Sequence, residues 1–125
     1  MNRVELEAYI CDVYGVKLER PFADDQSIVV FRHEGNRKWF AAVMSIKASR
    51  LGIESDRMIE IVNLKCNVEL TAELCEEDGI YPGYHMSKRH WISVVLDAAT
   101  DDELLYSLIE ESYDLTRTKI KKASR

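Results

Sequence analysis

Residues 28–46, IVVFRHEGNRKWFAAVMSI, decide the fold. Ile28 to Phe31 is β-branched and aromatic, the composition of a strand. Glu34-Gly35-Asn36-Arg37 is a turn sequence between two apolar runs, so the segment reads as a β-hairpin. The return run, Trp39 to Ile46, alternates with Phe40, Ala42, Met44 and Ile46 on one face and Trp39, Ala41 and Val43 on the other. Both faces are apolar, which predicts a central strand covered on each side.

The neighbouring segments supply the rest of a sheet and its cover. Upstream, Asn2 and Glu5 form a capping pair. Leu6, Tyr9, Ile10, Val13 and Tyr14 then follow at helical spacing, predicting a helix over 3–14 that stops at Gly15. Pro21 and Asp24-Asp25 mark a loop. Downstream, Lys47 to Asp56 is a connection and Arg57 to Leu64 a third strand. Asn67 is placed to cap a helix running to Glu77, with Leu70 and Leu74 as its buried stripe and Gly79 as its end. Tyr81-Pro82-Gly83 reads as a turn, and His90 to Leu96 as a fourth strand. Thr100-Asp101-Asp102-Glu103 is a capping box for a long helix whose apolar face is Leu104, Leu105, Leu108, Ile109, Leu115 and Ile120. Its acidic start and basic end suit the helix dipole. The order α-β-β-β-α-β-α predicts an α+β fold: an antiparallel sheet of four or more strands packed against N- and C-terminal helices, in one domain spanning 1–125.

Composition narrows the functional classes. The 125 residues are 46% apolar and 31% charged, values of a globular chain rather than a disordered one. No apolar run approaches the ~18 residues of a membrane span. The N-terminus turns charged at once, without a signal-peptide core, so a cytoplasmic location is expected, with no membrane partner. Three cysteines, Cys11, Cys66 and Cys75, are odd in number and widely spaced, which argues against a disulfide framework. The net charge of −5 opposes indiscriminate nucleic-acid binding. Its distribution is uneven, however. Residues 28–65 hold seven Lys/Arg against four acids, and the chain after Asp114 holds five Lys/Arg and no acid.

The residues with chemical potential cluster in 63–91, NLKCNVELTAELCEEDGIYPGYHMSKRHW. His85 and His90 are five apart and straddle a turn and a strand, unlike the i, i+4 pair of a helical zinc site. No metal and no cofactor are therefore expected. Cys66 follows Lys65 near a helix start, where a thiolate would be favoured, and a histidine base would complete a nucleophile. A free cysteine is nevertheless more often a small buried hydrophobe, and Cys11 and Cys75 read as core. No acid pair, phosphate loop or Ser-His-Asp order indicates an enzyme. Trp39, Tyr84 and Trp91 interleave with Arg37, Lys38, Lys65, Lys88 and Arg89. Such a pattern suits stacking on bases and holding phosphates; the tryptophans also fit a core role.

At Arg37-Lys38-Trp39-Phe40-Ala41, Asn63-Leu64-Lys65-Cys66, Pro82-Gly83-Tyr84-His85-Met86, Lys88-Arg89-His90-Trp91 and Leu108-Ile109-Glu110-Glu111-Ser112-Tyr113, the chain resembles the MmcQ/YjbR-like family over nearly its whole length. It departs from the family's common Lys-Cys-Asp-Pro-Glu at Asn67 and Val68, from a common Asn at Ser87 and from a common Val at Thr116. Asn67 keeps the capping chemistry; Val68 loses proline's preset first turn. The resemblance implies a CyaY-like fold with two β-hairpin wings and a proposed DNA-binding role; no enzymatic activity follows from it.

The residues and the resemblance together predict a non-enzymatic DNA-binding domain. Its contacts would come from Arg37, Lys38, Lys65, Tyr84, His85, Lys88, Arg89 and His90. One alternative is a module for a small molecule or anion, built around His85, Lys88 and His90 under the Pro82-Gly83 turn. Another is a protein–protein interaction domain.

Overall fold

Asn2 starts the first helix through the predicted capping box. Its Oδ1 accepts the Glu5 N–H at 2.9 Å, and Glu5 Oε1 accepts the Asn2 N–H at 2.9 Å. Two donors that a helix start leaves unpaired are thereby satisfied. In the computed structural model, which describes residues 1–96 and 100–118, this helix, α1, spans Arg3–Tyr14 and ends at Gly15 with a left-handed φ of 64°. The strands are β1 (Val29–Arg32), β2 (Trp39–Lys47), β3 (Met58–Lys65), β4 (Ile80–Pro82) and β5 (Trp91–Val95), and two further helices are α2 (Thr71–Leu74) and α3 (Asp102–Thr116). A 3₁₀ turn, Ala48–Leu51, follows β2.

The strands form one antiparallel sheet in the order β1-β2-β3-β5-β4. The β1–β2 hairpin lies on one edge and the β4–β5 pair on the other, joined through β3. Helices α1 and α3 cover one face. Leu6 and Ile10 of α1 and Leu105, Leu108 and Ile109 of α3 pack there on Val29, Phe31, Phe40, Val43, Val62, Leu64, Ile92 and Val94. The two helices meet through Tyr9 on Tyr106 and Tyr14 on Tyr113, with ring centroids 4.4 and 4.6 Å apart. The other face, called the open face below, carries a smaller cluster of Ile46, Ile59, Ile61 and Val95, covered by Leu51 and Ile53 of the β2–β3 connection and by Tyr81 and Tyr84. Cover on both sides accounts for the two apolar faces of β2.

Several sequence expectations need correction. Alternation in β2 fails at Phe40, which joins Ala41 and Val43 in the helix-side core. A bulge is the cause: Phe31 pairs with Ala41 but Arg32 pairs with Trp39, leaving Phe40 as the extra residue. Tyr81 and Pro82 belong to strand β4, not a turn. Proline is tolerated there because β4 is an edge strand. The predicted helix 67–77 is only the single turn Thr71–Leu74. Asn67 instead makes a local turn, its Oδ1 accepting the Glu69 N–H at 2.9 Å, and Leu70 is exposed. Glu73, Glu76, Glu77 and Asp78 give a longer helix too little apolar surface to bury. The Thr100–Glu103 capping box does not form. Asp101 is the N-cap without a side-chain bond, Thr100 Oγ1 donates to the Asp78 carbonyl at 3.0 Å, and Asp102 takes the Met1 ammonium at 3.0 Å. The predicted contribution of Ile120 and the basic end of the helix beyond Thr118 lie outside the described residues.

Candidate nucleic-acid interface

Antiparallel alternation brings distant residues to one end of the sheet. Strand β1 runs toward that end, β2 leaves it, β3 returns and β5 leaves again. The β1–β2 turn therefore places Arg37 and Lys38 there, and β3 ends there at Lys65, which pairs with Trp91 at the start of β5. Arg89 and His90 precede Trp91, and the His90 carbonyl accepts the Cys66 N–H at 2.8 Å. Helix α3 ends at the same place, since Asn36 Nδ2 donates to the Thr116 carbonyl at 2.8 Å. Arg37, Lys38, Lys65, Arg89 and His90 thus share one end of the sheet. Lys38, Arg89 and His90 are exposed and Lys65 is half-buried.

The arrangement at this end is rigid for identifiable reasons. The Ser112 hydroxyl donates to the Phe40 carbonyl at 2.6 Å and accepts the Lys65 N–H at 2.8 Å. It replaces a direct β2–β3 bond beside the bulge and ties α3 to both strands. His33 is buried between Phe40 and Tyr113, at centroid distances of 5.2 and 4.4 Å. Its Nε2 lies 2.8 Å from Thr116 Oγ1, whose proton is directed to the Ser112 carbonyl at 2.7 Å. The ring therefore donates from Nε2 and accommodates the neutral form. Burial pushes its pKa below the ordinary histidine value. The Tyr113 carbonyl opposes that shift and Arg117 adds to it.

The expected residues do not all face a partner equally. Arg37 adopts a left-handed φ of 62°, and its guanidinium lies 3.2 Å from Glu19, which also approaches Arg32 at 3.4 Å. Its charge is partly neutralised. Lys88 turns back, its Nζ donating to the Gly83 carbonyl at 2.8 Å. It lines shallow clefts on the β4 flank with Pro82. Tyr84 and His85 stand on the open face. Asn63 Nδ2 donates to the Tyr84 carbonyl at 3.0 Å, the Tyr84 N–H donates to Ser93 Oγ at 2.8 Å, and Ser93 Oγ donates to Asn63 Oδ1 at 2.5 Å. Asn63, two residues before Lys65, is buried and spends its amide on that clamp.

Cys66 is not a poised nucleophile. It is buried, with Sγ 3.2 Å from Thr71 Oγ1. Burial raises the thiol pKa and Glu111 adds to the rise, while the Thr71 bond only opposes it. Cys11 and Cys75 are half-buried against the main core. Among the described residues, no three His, Cys, Asp or Glu side chains are placed to hold a metal ion. No helix among them is long and apolar enough to cross a membrane.

Sequence reading missed Arg32, His33 and the Asn63–Ser93 pair. The Arg32 guanidinium lies 5.5 Å from the Trp39 ring centroid, in the reach of a cation–π contact. Its pairing with Trp39 depends on the bulge, which leaves no local mark. His33 sits within a turn-like sequence and is buried only because α3 returns over it. A polar residue at mid-strand, as at Asn63 and Ser93, was the available signal for a buried network.

Known proteins share this architecture and much of the sequence. The YjbR family profile matches residues 12–115. The YyaQ protein of Bacillus subtilis (strain 168) is 34% identical over 117 residues, covering 94% of this chain and 99% of that one. A crystal structure of a protein from Pseudomonas syringae superposes with a TM-score of 0.92 at 40% identity, covering 94% of this chain and all of the other. The DUF419 domain protein DR2400 of Deinococcus radiodurans superposes with a TM-score of 0.71 at 27% identity, covering 98% of this chain and 84% of that one. A profile match across most of the chain and a relative 34% identical over nearly its whole length agree with the shared fold: the chain belongs to the YjbR family.

Proposed function

We propose that this domain binds DNA through backbone phosphates at the end of the sheet bearing Lys38, Lys65, Arg89 and His90, without catalysing a reaction on it. One observation carries the reading. The start of β2, the end of β3 and the start of β5 gather Lys38, Lys65 and Arg89, which are far apart in sequence; the acids Glu73, Glu76, Glu77 and Asp78 lie in and after α2, and Glu19 and Glu34 adjoin the β1–β2 turn. Arg37 belongs to this set once a phosphate competes with Glu19 for it. Lys88 is a flank residue, and Tyr84 and His85 form a separate feature of the open face. The anionic-ligand alternative gains less support, since His85 lines the open face and Lys88 the β4 flank. A cytoplasmic setting goes with this reading.

Phosphate contacts release counterions, so affinity should fall with salt in proportion to the contacts made. In fluorescence anisotropy with a labelled oligonucleotide, three to four contacts correspond to a log–log salt slope of about −2 to −4. The double substitution Lys65→Glu with Arg89→Glu should abolish binding. Arg89 is exposed and Lys65 is half-buried at the end of β3, so a melting temperature near that of the parent is the control that the fold is kept. Binding that ignores salt, or survives the double substitution, contradicts the proposal.

A further inference from the structure

The open face carries a groove that the phosphate-binding edge does not use. It measures about 480 Å³, and Phe22, Trp39, Ala42, Met44, Tyr84 and His85 contribute to its lining. That volume lies in the range of small organic ligand sites. Ala42 leaves space in the floor, where a larger side chain would close it. Phe22, exposed on the loop before β1, meets Trp39 edge to face at 6.2 Å. The opposite wall is 84–86, held by the Asn63–Ser93 clamp. His85 has a left-handed φ of 57°, a conformation unusual for a residue with a side chain and common where a site demands it. Its ring lies 4.1 Å from that of Tyr84.

The groove also adjoins the cations. Arg32 pairs with Trp39, and Lys65 pairs with Trp91. Strand alternation puts Lys65 and Trp91 on the same face as Asn63 and Ser93. Cation and aromatic therefore alternate along the edge of the open face across β1, β2, β3 and β5. Lys38 directly precedes Trp39. Alternation turns its side chain to the opposite face, so a flat ring resting on Trp39 would draw its positive charge from Arg32, 5.5 Å from the Trp39 ring, and from Lys65 at the end of β3. A nucleotide within a strand has that chemistry: an uncharged π-face with a phosphate before and after it. Bases in a duplex keep their faces stacked on each other, so only an unpaired base can enter.

We infer that the groove receives an unstacked base, and that the preferred ligand of this domain is single-stranded DNA laid across the open face with its phosphates on the strand-end cations. The inference rests on the phosphate-binding reading above and adds the class of DNA. Trp39 is the stacking platform, Phe22 and His85 close on the base edges, and the Asn63–Ser93 clamp is a positioning device for His85.

The test compares three labelled probes of equal length with the full chain: single-stranded DNA, the matching duplex, and a single strand whose central sites are abasic. The single strand should bind at least tenfold more tightly than the other two. Trp39 fluorescence, read in a Trp91→Phe background, should be quenched by the single strand and not by the abasic one. Phe22→Ala, at an exposed position, and His85→Ala should each bring the single strand about fivefold or more toward the abasic probe, with melting temperature confirming the fold. Equal affinity for all three probes, with no fluorescence change, overturns the base-binding inference and leaves phosphate binding standing. A preference for duplex overturns it likewise. No binding of any probe at low salt overturns both readings.

Discussion

His33 shows how one buried side chain couples the strand-end turn to the last helix. Its imidazole is neutral in a packed site, with a pKa below the ordinary value because burial disfavours the charge. The unfolded chain takes up a proton near the usual ~6.5, and the folded chain only at lower pH. Between those two values the unfolded state binds more protons, so stability rises with pH. Stability present above about 6.5 is lost as pH falls through the folded pKa. Thermal melts from pH 7.5 downward should show this fall, and His33→Asn should remove that part of the slope; an unchanged slope would place the titration elsewhere. Gly83 makes a second residue-scale case. A Cβ there would lie 2.8 Å from Trp91 Cβ and 2.9 Å from its carbonyl oxygen, and backbone cannot yield cheaply. Gly83→Ala should cost about 1–3 kcal/mol by overpacking, read as a lowered melting temperature. The sequence marked Gly83 as a turn glycine needing conformational freedom. Its actual constraint is close approach between β4 and β5, which only the pairing of those strands creates.

At the level of elements, legibility followed how local the deciding interaction was. Helix α1 was readable because its cap, its apolar stripe and its glycine stop all lie within fourteen residues. The central strands were readable from apolar runs bounded by turn residues. Strand β4 was not, because three residues ending in proline become a strand only through β5. The face of Phe40 was misassigned for the same reason: bulges are set by the partner strand. Of the candidate site, Lys38, Lys65, Arg89 and His90 were legible as basic residues near strand ends, and the topology then brought them together. The withdrawal of Lys88 onto Gly83 and of Arg37 onto Glu19 was invisible, since both depend on tertiary neighbours. The Ser112 bridge tests the element-level account. Ser112→Ala leaves the Phe40 carbonyl and the Lys65 N–H without this partner in a buried position, a loss of about 1–3 kcal/mol. Denaturant unfolding should show it, and a variant as stable as the parent would mean that the two strands close directly.

For the molecule as a whole, the placement of charge decides what can bind. The chain is acidic overall, yet the sheet end formed by the β1–β2 turn, Lys65 and Arg89 concentrates cations on a frame fixed by Ser112, His33 and the Asn63–Ser93 clamp. Helix α3 ends there too, its Thr116 carbonyl accepting from Asn36. An overall negative charge suppresses non-specific contacts, so binding should require the local geometry. The most direct measurement is an amide NMR titration of the full chain with a short DNA oligonucleotide at low salt. The account predicts the largest chemical-shift changes at 37–38, 65 and 89–90, with little change on the outer faces of α1 and α3. Changes centred on those helices, or none at any DNA concentration, would contradict it.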